Sequence, residues 1–298
     1  MQDEVDDQIS KESSFAFVDI PCLLPYIGCR LTSMLAPKKS LGQNFLRDEN
    51  IARKIVDSLE AQQQDVILEI GPGQGDLTKR LLEASSNVVG VEIDPRAASI
   101  LRERFGDKLI LLEQDILAVN LEELSKRFGG TPNVVGNIPY YITSDILFWL
   151  FDQRRWVRAA TLMMQSEVAA RLVAHTESKA YGILSVFAQL YTETRVLFKV
   201  SRNSFHPRPQ VDSAVVRFEF GKSLAVHDER LFRNVVRRTF GTRRKTMRNS
   251  LRMMGFTEDQ LNGLDFDFTK RPEELSPDDF VDLTRLLEPF ASSLTMKY

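Results

Sequence analysis

From residue 37 onward, two rhythms of apolar positions alternate along the chain. Short apolar runs bounded by Gly, Asp or Asn occupy residues 65–71 (DVILEIG), 87–93 (NVVGVEI), 108–113, 133–136 and 158–164. Their length and β-branched content predict buried strands. Residues 76–84 instead place Leu77, Leu81 and Leu82 on one face at helical spacing. Pro95 opens a second helix at a position where its missing N–H is no loss, and residues 143–151 read as a third. Strands alternating with helices predict a mostly parallel sheet covered on both faces. Two later runs, residues 195–200 and 214–220, have no clear helix between them and predict an antiparallel pair at the sheet edge.

Beyond Gly221 the strand signal stops. Asp228 can cap a helix through Phe240 with Gly241 as its stop, and Thr242 can cap a further helix ending near Gly255. The expected organisation is an α/β, doubly wound, Rossmann-like domain over residues 36–220, followed by a small C-terminal helical domain over residues 221–298. Residues 1–35 follow neither rhythm. They open on Asp3, Glu4, Asp6, Asp7 and Glu12 and continue as an apolar stretch broken by Asp19, Pro21 and Pro25. A secretory signal starts basic and a mitochondrial transit peptide avoids acids, so a poorly ordered extension is expected, with Met34 as an alternative initiator. Composition adds bounds. Of 298 residues, 43% are hydrophobic and 27% charged, the balance of an ordinary globular chain. No apolar run approaches the roughly 20 residues that span a bilayer, so no membrane is expected. Both cysteines, Cys22 and Cys29, lie in the extension, which fits a reducing cytoplasm better than a disulfide scaffold. Three scattered histidines leave no metal site to propose.

Glu69-Ile70-Gly71-Pro72-Gly73-Gln74-Gly75-Asp76 joins the first strand to the first helix. Closely spaced glycines there let the backbone approach a ligand. The spacing is not the dinucleotide fingerprint, and no Lys-Ser/Thr pair follows to make a phosphate-cradling loop. Glu92, 21 positions after Gly71, can accept hydrogen bonds from both hydroxyls of a ribose, and Asp115 ends the third strand within reach of an adenine. These features leave a nicotinamide site open. Asn137-Ile138-Pro139-Tyr140 at the end of the fourth strand narrows the choice. The exocyclic amine of adenine is a poor nucleophile because its lone pair is delocalised. An Asn oxygen and a main-chain carbonyl that each accept one of its N–H groups favour a more tetrahedral nitrogen. Pro139 sets that carbonyl, and Tyr140 offers a face for an extruded base.

In this setting the chain resembles the KsgA family of rRNA adenine dimethyltransferases, in its bacterial branch, over about residues 37–250. The resemblance is carried by Lys39-Ser40-Leu41-Gly42-Gln43-Asn44-Phe45-Leu46, the glycine loop, Val91-Glu92-Ile93-Asp94, Gln114-Asp115 and Asn137-Ile138-Pro139-Tyr140. Ser178-Lys179-Ala180-Tyr181-Gly182 and the segment from Ser204-Phe205-His206-Pro207 to Ser213 carry it further. It implies a class I methyltransferase fold and S-adenosylmethionine as cofactor, contacted by Asn44, Leu46, Gly71, Gly73, Glu92, Asp115 and Asn137. It also implies catalysis at Asn137, Ile138, Pro139 and Tyr140. Where Ile138 stands the family usually has Leu, which matters little because only the main-chain carbonyl is used. Phe205 is implied to stack on the target base opposite Tyr140, the alternative being a core phenylalanine that anchors its loop.

Between Arg230 and Arg252 lie nine basic residues and no acid. Intrahelical pairing cannot neutralise them, so a phosphate backbone is the expected counter-charge. Arg237, Arg243, Arg244, Lys245 and Arg248 are the expected RNA contacts, and the string from Arg243 to Thr246 is itself similar to the family's helical domain. The function this implies is dimethylation of the N6 amine of two adjacent adenines in a hairpin loop near the 3′ end of small-subunit rRNA, during ribosome biogenesis. The expected partner is the immature small subunit, with the enzyme acting as a cytoplasmic monomer. Dimethylation of large-subunit rRNA and a non-catalytic RNA-binding assembly factor are the alternatives.

Overall fold

A computed structural model of the chain describes residues 35–38, 41–221 and 226–293. The expected extension over residues 1–35 lies, apart from Leu35, outside the described residues. The chain begins with β1 (Phe45–Leu46) and α1 (Glu49–Asp57), followed by β2 (Val66–Ile70), α2 (Thr78–Ala84), β3 (Asn87–Val91) and α3 (Pro95–Phe105). Then come β4 (Ile110–Leu112), α4 (Leu121–Phe128), β5 (Asn133–Asn137), α5 (Thr143–Asp152), β6 (Ala159–Gln165), α6 (Ser166–Leu172) and α7 (Ile183–Tyr191). β7 (Thr192–Val200), β8 (Phe205–His206) and β9 (Ser213–Phe220) complete the strands, and α8 (Glu229–Gly241), α9 (Met247–Met253), α10 (Glu258–Asn262) and α11 (Pro277–Leu287) follow.

Seven strands form one sheet in the order β4-β3-β2-β5-β6-β9-β7. The first five are parallel, as expected, and β7 and β9 form the antiparallel pair that the sequence pattern predicts, with β9 also antiparallel to β6. Successive strand side chains point to opposite faces, and here that alternation sorts them into two cores. Leu68, Val89 and Val134 join one apolar cluster, and their neighbours Ile67, Val88 and Val135 the other. Helices α1, α2 and α3 cover the second face through Ile55, Leu81 and Leu101.

Four helices, α1, α4, α6 and α7, stand where the sequence pattern suggested none. α7 (ILSVFAQLY) is apolar almost all round because it is buried on several sides, so it lacks the one-sided stripe by which helices are read. Its Phe187 packs edge-on against Phe148 of α5 and Phe232 of α8, with ring centroids 5.2 and 5.4 Å apart. One apolar cluster therefore runs from the sheet through α7 into the C-terminal helices, reaching Phe280 of α11. Asp228 caps α8 as expected, its side chain accepting the Leu231 N–H. The next helix is capped by Thr246 and not by Thr242. A turn closed by the Lys245 N–H on the Thr242 carbonyl intervenes, so Thr242 serves the end of α8 instead.

Candidate active site

The strand order reverses between β2 and β5, because the chain leaves β2 toward β3 on one side and β5 lies on the other. In such sheets a crevice opens at the carboxyl ends of the strands at this point. A cavity of about 210 Å³ lies there, walled by the glycine loop, the ends of β3 and β5, the segment after β4 and residues 41–45. Gly71 stands at φ +62°, a backbone region that disfavours any side chain. A Cβ added to it would meet no protein atom within 4 Å. Since Gly71 lines the cavity, that carbon would occupy ligand space.

Glu92 is buried, and its carboxylate is held by the main chain. Oε2 accepts the Gly73 N–H at 2.9 Å and Oε1 the Asp94 N–H at 2.8 Å. Burial pushes this carboxyl up, while the two amides, which favour the charged form, pull it back. Asp94 caps α3 and is bonded by Arg96 at 2.6 Å and by Gln43 at 3.1 Å. Chiefly the Arg96 guanidinium holds the Asp94 carboxyl at about 2. Gln43 in turn accepts the Lys38 N–H at 2.9 Å, so the segment beside the cavity is tied to the β3–α3 corner.

Asn137 ends β5. Its Nδ2 donates to the carbonyl of Asn44, 93 residues earlier, at 2.8 Å. With the amide nitrogen so held, Oδ1 is the end of the side chain left to accept a hydrogen. Ile138 is buried and its N–H bonds the Met163 carbonyl. The Tyr140 hydroxyl lies 2.8 Å from Ser213 Oγ, which fixes the half-buried ring in the cavity wall. Burial raises the Tyr140 phenol above its ordinary range, so it stays neutral.

The sequence model of the ribosomal RNA adenine dimethylase family matches residues 34–288. The chain belongs to this family. A "Ribosomal RNA small subunit methyltransferase A" of Chlorobium luteolum is 47% identical over 256 residues, covering 86% of this chain and 91% of that protein. A crystallised dimethyladenosine transferase from Plasmodium falciparum superposes with a TM-score of 0.69 at 28% identity, over 84% of this chain and 98% of that one. The 23S rRNA methyltransferase ErmE superposes with a TM-score of 0.58 at 26% identity, over 82% and 100%.

A ribosomal RNA adenine dimethylase draws its methyl groups from S-adenosylmethionine, and the cavity fits that group. The open space at Gly71, the buried carboxylate of Glu92 and the acidic edge at Asp115 come together as expected. Asp115 accepts the Leu117 N–H through Oδ1 at 2.9 Å. Ile93 and Leu117 also line the cavity, 51% and 40% exposed; sequence reasoning passed over them because exposed aliphatic side chains are visible only in the fold. Leu46 turns its side chain away from the cavity, unlike the other expected contacts. Adjacent residues on a strand face opposite ways, so Phe45 lines the cavity while Leu46 is buried in the second apolar cluster. Phe205 is likewise a core residue in this structure. It is 5% exposed, sits opposite Leu46 in the β1–β8 pair and belongs to the same cluster, so its ring is not presented to a base.

The basic run divides in two. Among the described residues, carboxylates from elsewhere in the chain meet several of its members, correcting the expectation that phosphate alone supplies their counter-charge. Arg233 pairs with Asp152, Arg243 with Glu273, and Arg248 and Arg252 with Glu258. Arg243 also donates to the carbonyls of Ser178 and Lys179, each at 3.1 Å, and Arg248 lies over the Phe268 ring. Arg237 is exposed and rests on the Phe148 ring, 4.6 Å from its centroid. Arg244 and Lys245 are exposed.

Proposed function

We propose that this chain dimethylates the N6 amine of two adjacent adenines in a hairpin loop near the 3′ end of small-subunit rRNA, acting on immature small subunits in the cytoplasm. The observation that carries the reading is the Asn44–Asn137 hydrogen bond. It fixes the Asn137 amide at the mouth of a glycine-walled cavity, beside the Tyr140 ring. Bound S-adenosylmethionine supplies a sulfonium methyl, an electrophile that departs from sulfur as the amine nitrogen bonds to it. The residues of the chain position the two reactants, and no covalent enzyme intermediate is needed.

Asn137 Oδ1 accepts one N–H of the target amine and the Ile138 carbonyl the other, which turns the lone pair out of the ring plane. Tyr140 stacks on the extruded base, worth roughly 1–3 kcal/mol. After transfer the nitrogen carries a positive charge and is strongly acidic, so water takes its proton. Glu92 accepts the ribose hydroxyls of the cofactor with the lone pairs that its two backbone bonds leave, and Ile93 and Leu117 flank the adenine with Asp115 at its edge. Gly73 lines the same cavity beside the cofactor and also supports this set by donating to Glu92. Arg244 and Lys245 contact RNA phosphates, Arg237 meets the RNA from its seat on Phe148, and Arg243 and Arg248 add to that field from their protein ties. Identity of 47% to a small-subunit methyltransferase, against 26% to the large-subunit enzyme ErmE, supports the small subunit as target.

Incubation with isotope-labelled cofactor and under-methylated small subunits, followed by nucleoside analysis, tests the reading. The expected product is N6,N6-dimethyladenosine in small-subunit rRNA. Label confined to large-subunit rRNA, or no label at all, overturns it.

A further inference from the structure

Residues 178–182 make no contribution to the catalytic cavity, yet the fold holds them firmly. Tyr181 is fully buried and donates to the Leu275 carbonyl at 2.9 Å, Arg243 grips the carbonyls of Ser178 and Lys179, and the Gly182 N–H bonds Ser185 Oγ at 3.0 Å. The rigid loop walls a second cleft of about 610 Å³, whose other sides come from α5 and the α8–α9 corner. Ser144 lines this cleft, and Ile142, two residues earlier, lines the catalytic cavity. The two spaces therefore flank the start of one helix.

The cleft is basic. Of its four cations, Arg171 is paired with Glu167 and Arg243 with Glu273. Lys179 is exposed and has no ion pair among the described residues, and Arg237 lies on Phe148, giving a flat cationic surface. Gly182 supplies an independent observation. Its backbone is fully extended, at φ −171° and ψ −164°, which any residue adopts. A Cβ there would meet nothing within 4 Å. Neither conformation nor packing inside the protein calls for glycine, and its missing side chain leaves the cleft wall bare, so that a ligand can lie directly against the backbone.

We propose that this cleft holds a nucleotide of the RNA strand beside the target adenine, with its phosphate at Lys179 and its base against the Arg237–Phe148 pair. Bases stack readily on guanidinium planes and aromatic rings. A strand whose target base enters the cavity at Ile142 passes directly into the cleft at Ser144. The inference rests on the RNA-methylating function proposed above.

The test uses the full chain and under-methylated small subunits, comparing wild type with Lys179→Gln and Gly182→Ser. Serine caps a helix at least as well as glycine, so α7 is retained. Both variants should bind S-adenosylmethionine with unchanged affinity in calorimetry and melt as the wild type does. The half-saturating subunit concentration should rise roughly threefold or more in each, through a lost phosphate contact in Lys179→Gln and through a side chain occupying the cleft in Gly182→Ser. The log–log salt slope of Lys179→Gln should fall by about 0.7. Gly182→Ser alters no charge, so its effect reports occupancy of the cleft and not its field. Wild-type half-saturation and salt slope in both variants would overturn the cleft assignment and leave the methylating function standing. A wild-type protein that forms no dimethyladenosine would overturn both.

Discussion

In the catalytic cavity the critical polar side chains are held by main chain, with Glu92 on the amides of Gly73 and Asp94 and Asn137 on the carbonyl of Asn44. On α8 and α9, Arg233, Arg248 and Arg252 are held by side chains instead, those of Asp152 and Glu258. A main-chain partner is fixed by the fold and loses no rotamer freedom, so the cavity presents one geometry. Solvent-exposed ion pairs contribute about 0–1 kcal/mol and can exchange one anion for another. A rigid site suits a reaction decided by the direction of one lone pair, and an exchangeable one suits a backbone of repeating phosphates.

The sharpest way to break this contrast is Asn137→Ala. Single-turnover methylation at saturating RNA and cofactor should fall by roughly 10²–10³-fold, the scale of removing one positioned polar group from a reacting centre. RNA affinity should barely move. Near-normal turnover would mean that the amide held by Asn44 is not aimed at the amine. Tyr140→Phe removes only the bond to Ser213 and should cost far less than Tyr140→Ala.

Glu92→Ala comes next, weakening S-adenosylmethionine binding by roughly 1.5–3 kcal/mol through loss of a charged acceptor. Calorimetry showing wild-type affinity would refute its place at the ribose.

Glu69 sharpens the cavity side of the comparison. It is buried at the end of β2 and accepts the Thr78 hydroxyl at 2.6 Å, linking the two ends of the glycine loop. Burial is the main reason its carboxyl is pushed up to about 8. Between pH 4.5 and about 8 the folded protein keeps a proton that the unfolded chain has released, so this group lowers stability as pH rises through that window. Glu69→Gln should match wild type near pH 4 and exceed it at pH 8 by on the order of 1 kcal/mol or more. Thermal unfolding across pH measures this, and parallel curves for the two proteins would contradict it.

The smallest effects should separate the two kinds of basic residue. Replacing Arg244 and Lys245 together by Ala should lower the log–log salt slope of RNA binding by about 0.7–0.9 for each contact and leave stability unchanged. Arg248→Ala should do the reverse, costing about 0.5–1 kcal/mol of stability from its ties to Glu258 and Phe268 with less change in slope. If both variants shift the slope equally, the division of the basic run is wrong.

What could be read without a fold was what is written locally. The strands of the parallel sheet, the glycine turn, the helix start at Pro95, the cap at Asp228 and the loop beginning at Asn137 each depend on residues within a few positions, because backbone periodicity and turn chemistry act over that range. Tertiary structure decided whatever depended on where the chain returns. It turned Phe45 rather than Leu46 into the cavity, buried Phe205, brought Asn44 to Asn137, and placed Asp152, Glu258 and Glu273 against arginines whose own segment has no acid. A sequence displays the charge and size of a side chain, but its partner is set by packing between elements tens of residues apart.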